Sequence, residues 1–571
     1  AVVRRVWAGP GVDTSGAPSR DGAYLSFKDW PSGDLAIHDF ATGENRRLTK
    51  HRGGWESVYQ SVPSPDGKQV AYSWYNADSF CDLRIVGLHA SKPRILYRNA
   101  KVKWLEPSDW SPDGKSILAI FPSEEERQMV LVSVADGSVR VLKTFTPGSS
   151  GRPRFSPDGR YIAYNLPQRP GSRNRDIFLL ALDTSREIPL VQHPADDRFL
   201  DWTPDGKGVL FQSDRAGARG AWLIQVAGGQ PQGTPELVKP DLGGGFRPMG
   251  FTRNGSYYYA VGTARSDVYI AELDLATGKV LAPAVLATQR FVGSNNKPDW
   301  SPDGRDLIFL SKLGSSGAWG IRALCARSTE SGEVRELPSK LKRIGWVRWS
   351  PDGRSLLASG NPNPTEFGVY RIDIQTGDFA TVARTSLGWP GAWSRDGKEV
   401  FYFKGDKRIS ILARDLETGK ERELHTVAEP FHYAGGAALS PDGRQLAFVV
   451  ADGESGSRDL KTLPAAGGEA RDLLRGAQLP WRGPMAWTAD GRGLLFAREP
   501  RSGNLRTELW LISVQGGEPR KLELTADDMR ELCVHPDGRH IAFTAGRDTS
   551  EVWVMENFLP VAGNREQGRK P

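Results

Sequence analysis

One tetrapeptide, Ser-Pro-Asp-Gly or a close variant, recurs twelve times along the 571 residues, with its third position at Asp21, Asp66, Asp113, Asp158, Asp205, Asn254, Asp303, Asp352, Asp396, Asp442, Asp490 and Asp537. The intervals run from 44 to 49 residues, the length of one four-stranded propeller blade. Each residue of the tetrapeptide suits a chain reversal. Pro presets φ for the first corner, Asp accepts bonds from backbone amides, and Gly takes a positive φ without steric cost. The 64 Gly and 39 Pro punctuate the whole chain, which excludes a helical or disordered protein.

The same four strands can be read in each repeat. The first ends in an aromatic residue, as at Asp109-Trp110, Asp201-Trp202, Asp299-Trp300 and Arg348-Trp349. The tetrapeptide reverses the chain into a short apolar strand such as Tyr161-Ile162-Ala163-Tyr164 or Gln445-Leu446-Ala447-Phe448, rich in β-formers and too short for a helix. A polar loop of variable length leads to a third strand (Asp267-Val268-Tyr269-Ile270, Glu508-Leu509-Trp510-Leu511). A Thr-Gly or Gly-Gly turn then precedes a fourth, more polar strand, whose charge protects an outer edge from stray pairing.

These repeats resemble the WD40-like, TolB-type propeller repeat, also called PD40, over essentially the full chain. Departures fall at Pro18-Ser19-Arg20-Asp21, Thr203, Thr252-Arg253-Asn254-Gly255, Arg395, Thr488-Ala489 and His535, and turn chemistry survives each of them. The helical domain that accompanies the propeller in TolB has no counterpart in these 571 residues, which argues against a direct TolB role. The resemblance implies an all-β fold with six blades per ring. Twelve blades exceed the four to eight of one ring, so the expected fold is two tandem six-bladed β-propellers, with seven plus five as the alternative split.

Each ring needs its ends fastened. Val2 to Trp7 has the character of an isolated fourth strand, and the twelfth repeat ends on a third strand, Glu551-Val552-Trp553-Val554-Met555. The expectation is that residues 2–7 complete the sixth blade and that Lys279 to Leu286 crosses over to complete the twelfth. Pairing of residues 2–7 with 551–555 would instead mean interlocked rings. The corresponding domains are 1–286 and 298–559, with a linker at 287–297 and a disordered basic tail at 560–571.

Motifs for chemistry are sparse. Neither a nucleophile elbow, a P-loop, a dinucleotide fingerprint nor His-Glu-x-x-His occurs; Gly314-Ser315-Ser316-Gly317 and Gly453-Glu454-Ser455-Gly456 have the wrong spacing and belong to loops. No stretch is left over from the repeats for the α/β-hydrolase domain that related propellers gate in prolyl oligopeptidases and dipeptidyl peptidases. The eight His are scattered; the nearest pair, His535 and His540, flanks one turn, and turn or surface roles are expected for them rather than metal binding. The turn aspartates are likewise expected to cap turns and not to bind calcium. Cys81, Cys325 and Cys533 lie more than 200 residues apart, so no disulfide framework or redox pair is encoded. The 75 basic residues only slightly exceed the 68 acidic ones and are dispersed, unlike a nucleic-acid surface. No apolar stretch reaches membrane-spanning length.

A more specific set precedes the aromatic residue of the first strand: Asp109, Arg154, Asp201, Asp299 and Arg348, against Ala392, Ala438, Ala486 and Cys533 in later repeats. Innermost strands border the channel, so these five are candidate lining of a polar funnel. The competing expectation is that they pair between blades, as inward charges must be paired or hydrated. The loops 76–82, 167–175 and 499–506 offer an alternative contact surface. No catalytic residue, metal or cofactor is assigned.

The leading functional expectation is a non-enzymatic scaffold that binds a protein partner or small polar ligand in the bacterial periplasm or extracellular space, without nucleic acid or membrane insertion. Ala1 is read as following a removed secretory signal. The alternatives are a lyase or lactonase-like hydrolase with its site in one funnel, and the sensor or gating part of a larger assembly.

Overall fold

The computed structural model describes residues 2–560 apart from 10, 31, 52–55, 77–79, 90–91, 103, 123–125, 146–151, 170–171, 173, 313–321, 363–365, 386–390, 406–408, 428–430, 453–457, 478, 480–483, 500–505 and 547. The candidate loop motifs at 314–317 and 453–456, most of the 499–506 loop and the tail beyond 560 lie outside the described residues. Among the described residues the chain forms twelve antiparallel sheets and no helix, eleven of the sheets having four strands. The first sheet has three, Tyr24–Lys28, Leu35–Asp39 and Asn45–Arg47, with an isolated bridge from Pro18 to Leu25 in place of an inner strand.

Every one of the twelve tetrapeptides is a turn, and eleven share one lock. The hydroxyl of the first residue donates to the carboxylate or amide oxygen of the third at 2.5–2.6 Å, from Ser19 to Asp21 through Thr488 to Asp490. The Gly N–H returns to the first residue's carbonyl, as Gly67 does to Ser64 at 2.9 Å. Thr replaces Ser without loss because only the hydroxyl is needed. In the twelfth turn His535 Nδ1 accepts the Asp537 N–H at 3.1 Å in the hydroxyl's stead. Ser and Thr hydroxyls, followed by backbone N–H groups, hold turn carboxyls such as Asp66, Asp303 and Asp490 below the ordinary carboxylate range.

The buried apolar residues form twelve clusters, and their membership decides how the blades are shared out. Five join successive blades from the first to the sixth, and five join the seventh to the twelfth. Another closes the sixth onto the first through Met249, Tyr258, Val552, Val12 and Leu25. The last closes the twelfth onto the seventh through Val268, Ala542, Trp300 and Phe309. Two six-bladed rings result. Each inter-blade cluster buries large side chains, at about 1.5–3 kcal/mol for a full-sized one, so the rings are held blade to blade.

The division of the chain differs from the expected one. The sixth blade takes its first two strands from Phe246–Phe251 and Tyr257–Ala264, its third from Asp548–Glu556 and its fourth from Val2–Gly9. Val3 pairs with Met555 and Arg5 with Trp553. The twelfth blade combines Arg530–Val534 and His540–Ala545 with Asp267–Asp274 and Lys279–Leu286. Residues 2–7 thus pair with 552–556, the outcome set against the expected closure, which fails: 2–7 and 279–286 do provide the outer strands of the sixth and twelfth blades, but on third strands exchanged from those expected. The compact units are therefore 1–263 with 549–571, and 264–548, in place of 1–286 and 298–559. Residues 287–297 are not a linker between units, since Ala287 is buried in the twelfth-to-seventh cluster and Asn295 begins an inner strand of the second unit.

The second unit is continuous in sequence and holds all four strands of every one of its blades. Residues 264–548 expressed alone are expected to unfold in one cooperative thermal transition, whereas 298–559 lacks two strands of the twelfth blade and should give no cooperative transition by circular dichroism. Acid should weaken both units. The depressed turn carboxyls contribute stability that is present above their unfolded pKa of about 4 and lost as pH falls through the lower folded values, so the unfolding midpoint should drop below pH 4.

Candidate functional site

In eight of the blades a one-residue shift in register interrupts the pairing of the innermost strand with its neighbour, as at Tyr59, Ser108, Leu200, Met249, Gly345 and Glu531. Such bulges re-aim side chains. The innermost strand also presents one backbone edge that no further strand covers, and its N–H groups need acceptors. Three of the candidate residues supply them. Asp109 accepts the Phe155 N–H of the next blade at 3.1 Å, Asp201 the Phe251 N–H at 2.8 Å and Asp299 the Trp349 N–H at 2.8 Å.

In the first unit Asp109, Arg154 and Asp201 belong to one buried network. Arg20 reaches from the first blade to Asp109 at 3.3 Å. Arg154 donates to the Met249 carbonyl at 2.8 Å and lies 3.8 Å from Asp201. Gly250, at φ +122°, gives this pair its space, because a Cβ there would stand 2.8 Å from Asp201 Oδ2 and 3.0 Å from Arg154 Nη2. In the second unit Arg348 donates to Asp299 at 2.6 Å and stacks 4.6 Å over Trp346. Beside them Lys297 and Glu531 form a largely buried ion pair across the closing seam. Both have positive φ, 62° and 26°, a conformation that costs energy for a residue with a side chain and is kept only where the surroundings fix it.

All five candidate residues thus bridge blades, the pairing that inward charges require. Sequence reasoning missed the residues that stand above this layer in the first unit, at the rim where the inner strands begin. Arg152, just ahead of the fourth blade's inner strand, donates to the Ser15 and Gly16 carbonyls at 2.5 and 3.1 Å. The first and fourth blades are three steps apart in a ring of six, so this side chain spans the channel. Gly16 is fixed as Gly, since a Cβ would stand 1.6 Å from the Ser26 carbonyl oxygen. Arg247 of the sixth blade donates to Thr14 Oγ1 at 3.2 Å. Among the described residues neither Arg152 nor Arg247 has a carboxylate within ion-pair distance. Burial, and then the neighbouring Arg154, lower the Arg152 guanidinium to about 10.

Exposed aromatic rings stand at the same rim. Trp104 stacks on Tyr75 with centroids 5.0 Å apart and planes 8° apart, and Tyr59 lies tilted against it at 5.4 Å. Tyr59 is 46% and Trp104 41% exposed, unusual for large rings that could pack. The Tyr59 phenol sits in the field of Glu106, Arg127 and Arg152, and Glu106 pairs with Arg127 at 3.0 Å. Trp30, 60% exposed, lies under the Lys28 ammonium at 4.2 Å. The available signal was Trp104 itself, an aromatic residue between a fourth strand and the next first strand.

His535, Asp537 and His540 come together with ligand atoms within 4.8 Å. His535 Nε2 faces the Gly304 carbonyl at 3.0 Å while its Nδ1 faces the Asp537 N–H at 3.1 Å. A neutral imidazole satisfying both contacts has no lone pair left for a metal, so this cluster fits its turn role.

Residues 82–235 match the family described as PD40, TolB beta propeller domain. A Bacillus subtilis protein named as the uncharacterized peptidase YuxL is 32% identical over 151 residues, 26% of this chain and 21% of that protein; the chain spans about a fifth of that relative. The Agrobacterium fabrum protein Atu1656 is 23% identical over 279 residues, 40% of this chain and 91% of that protein. Among solved structures, the putative TolB from Agrobacterium tumefaciens is 19% identical, covering 49% of this chain and 98% of that one with a TM-score of 0.40. The tricorn protease is 12% identical, covering 92% of this chain and 59% of that one with a TM-score of 0.32. The class the fold and repeat define is the six-bladed β-propeller. More particularly, the chain is a double propeller, of which residues 82–235 carry the match to the PD40, TolB beta propeller domain. Among the described residues no helix is long and apolar enough to cross a membrane.

Two predictions follow from this geometry. Asp201→Ala strands the Arg154 guanidinium and the Phe251 N–H, and should cost the first unit roughly 3 kcal/mol, read as a lower denaturant midpoint with the second unit unchanged. Burial first of all pushes the Cys81 thiol up to about 12 and Cys325 to about 11, and raises Cys533. All three are free and buried. Native protein at pH 8 should therefore be inert to an aqueous disulfide reagent and yield three thiols on unfolding.

Proposed function

We propose that this protein is a non-enzymatic binding scaffold of the periplasm or cell exterior, which holds a protein segment or a polar ligand at the channel mouth of its first propeller. The observation that carries this reading is the contrast between two layers. The inner carboxylates Asp109 and Asp201, which an enzyme would need as acid or base, are committed to backbone N–H groups and arginines. Above them, Tyr59, Trp104, Arg152 and Arg247 offer stacking faces and guanidinium donors, which are binding chemistry and not proton-transfer chemistry.

A second reading, in which the rings gate a catalytic partner, is favoured by the match to one fifth of a peptidase-named relative. Hydrogen exchange of the full chain in a fractionated bacterial envelope extract separates the two. Protection concentrated in peptides spanning 12–16, 57–60 and 104–106, and lost in the Tyr59→Ala, Trp104→Ala double variant, is expected. Protection confined to other segments, or unchanged by the double variant, would overturn the scaffold reading at this rim.

A further inference from the structure

We infer that the mouth of the first propeller is a subsite for an acidic saccharide, a pyranose ring lying on the Tyr59 and Trp104 faces with its carboxylate taken by Arg152 and Arg247. The inference rests on the reading of this rim as a binding site and names the ligand class.

The charge comes first. Arg152 and Arg247 approach three consecutive residues, Thr14, Ser15 and Gly16, from blades on different sides of the ring. Successive Cα atoms are about 3.8 Å apart, so the two guanidinium groups contact one short stretch of backbone. Their present partners are a hydroxyl and two carbonyls. A carboxylate would satisfy the remaining fork donors bidentately, with roughly twice the strength of a neutral acceptor. The nearest acidic side chains are otherwise engaged. Asp13 accepts the Ser15 and Lys28 backbone N–H groups, and Glu106 is held by Arg127.

The shape of the ligand follows from what the rim lacks as well as what it presents. An extended peptide binds an open strand edge through main-chain hydrogen bonds. Here the N–H groups of Phe155 and Phe251 on the inner edges of the fourth and sixth blades are already capped by Asp109 and Asp201, which leaves recognition to side chains. Those side chains are flat rings, Trp104 stacked on Tyr75 with planes parallel within 8°, flanked by the Glu106–Arg127 pair. Ring faces accept the C–H face of a sugar, and the pair supplies an acceptor and donors for its hydroxyls. Because Arg152 spans the channel, the ligand rests on the rim and does not thread the ring.

Tryptophan fluorescence titration of the full chain tests the assignment with three probes: an alginate hexamer, cellohexaose as the neutral counterpart, and hexaglutamate as an acidic peptide. Saturable binding of the alginate hexamer alone is expected, weakened roughly tenfold, 1.4 kcal/mol, in Arg247→Gln and abolished in Trp104→Ala. Arg247 is exposed, so its variant keeps the fold even if Arg152→Gln does not. Equal binding of cellohexaose would overturn the role of the arginines. Preferential binding of hexaglutamate would overturn the saccharide while leaving the rim as the binding site. No binding of any probe would overturn the ligand class, and the exchange experiment above still judges the rim independently.

Discussion

A ring of blades survives only if its last sheet is fastened to the rest of the chain by backbone hydrogen bonds, since an open seam would expose both strand edges and an apolar flank. Both rings solve this by pairing strands from the two ends of their own stretches of chain. The first unit is sealed by Val2–Gly9 lying against Asp548–Glu556, so the two ends of the sequence are paired with each other inside one blade. The second is sealed by Asp267–Asp274 against His540–Ala545, and is in effect an insertion between the second and third strands of the sixth blade. The consequence is asymmetric. The inserted ring owns every strand it needs, whereas the first ring becomes complete only after residue 556 has been made.

Once the rings are closed, the channel poses the opposite problem, because each inner strand presents a backbone edge to it. Asp109, Asp201 and Asp299 answer it with one geometry, an acceptor from one blade for an inner-strand N–H of the next. Arginines then balance the carboxylates, Arg20 and Arg154 in the first ring and Arg348 in the second. A buried charge that is both paired and hydrogen-bonded is tolerable where an unpaired one is not. The charges that look like a funnel lining in the sequence are therefore also the joints between blades.

This is why some of the structure is legible in the sequence and some is not. The turns are local: a hydroxyl, a Pro, a carboxylate and a Gly in order suffice, and the blade count follows from counting them. The inner-strand charges are visible as residue types before an aromatic residue, but their partners lie 46 to 95 positions away. The strand exchange is invisible to periodicity because Asp267–Asp274 and Asp548–Glu556 have the same pattern whichever ring they join. One local sign existed. Only Arg265 and Ser266 separate the second strand of the sixth blade from the next strand, and neither is a Gly or Asn of the kind a two-residue hairpin requires. The rim escaped for a different reason, since Tyr59 and Arg247 lie five residues before the turn hydroxyl, Arg152 four and Trp104 seven, so no single repeat position marks it.

That irregularity is where function separates from fold. Residues that recur in nearly every blade, such as the turn hydroxyl and carboxylate, answer a need every blade has. Trp104 answers none, for it lies in a connection, keeps 41% of its surface exposed and adds no strand pairing. Arg152 does close the channel, but Arg247 is exposed and touches only a hydroxyl. Large apolar rings left in water, beside guanidinium groups that among the described residues have no carboxylate at ion-pair distance, carry a cost in solubility that folding does not require. Their grouping at this rim is what a ligand of matching flatness and opposite charge would account for, and the second ring, whose inner strands pass from Asp299 and Arg348 to Ala392, Ala438 and Ala486, does not repeat the charges at those positions.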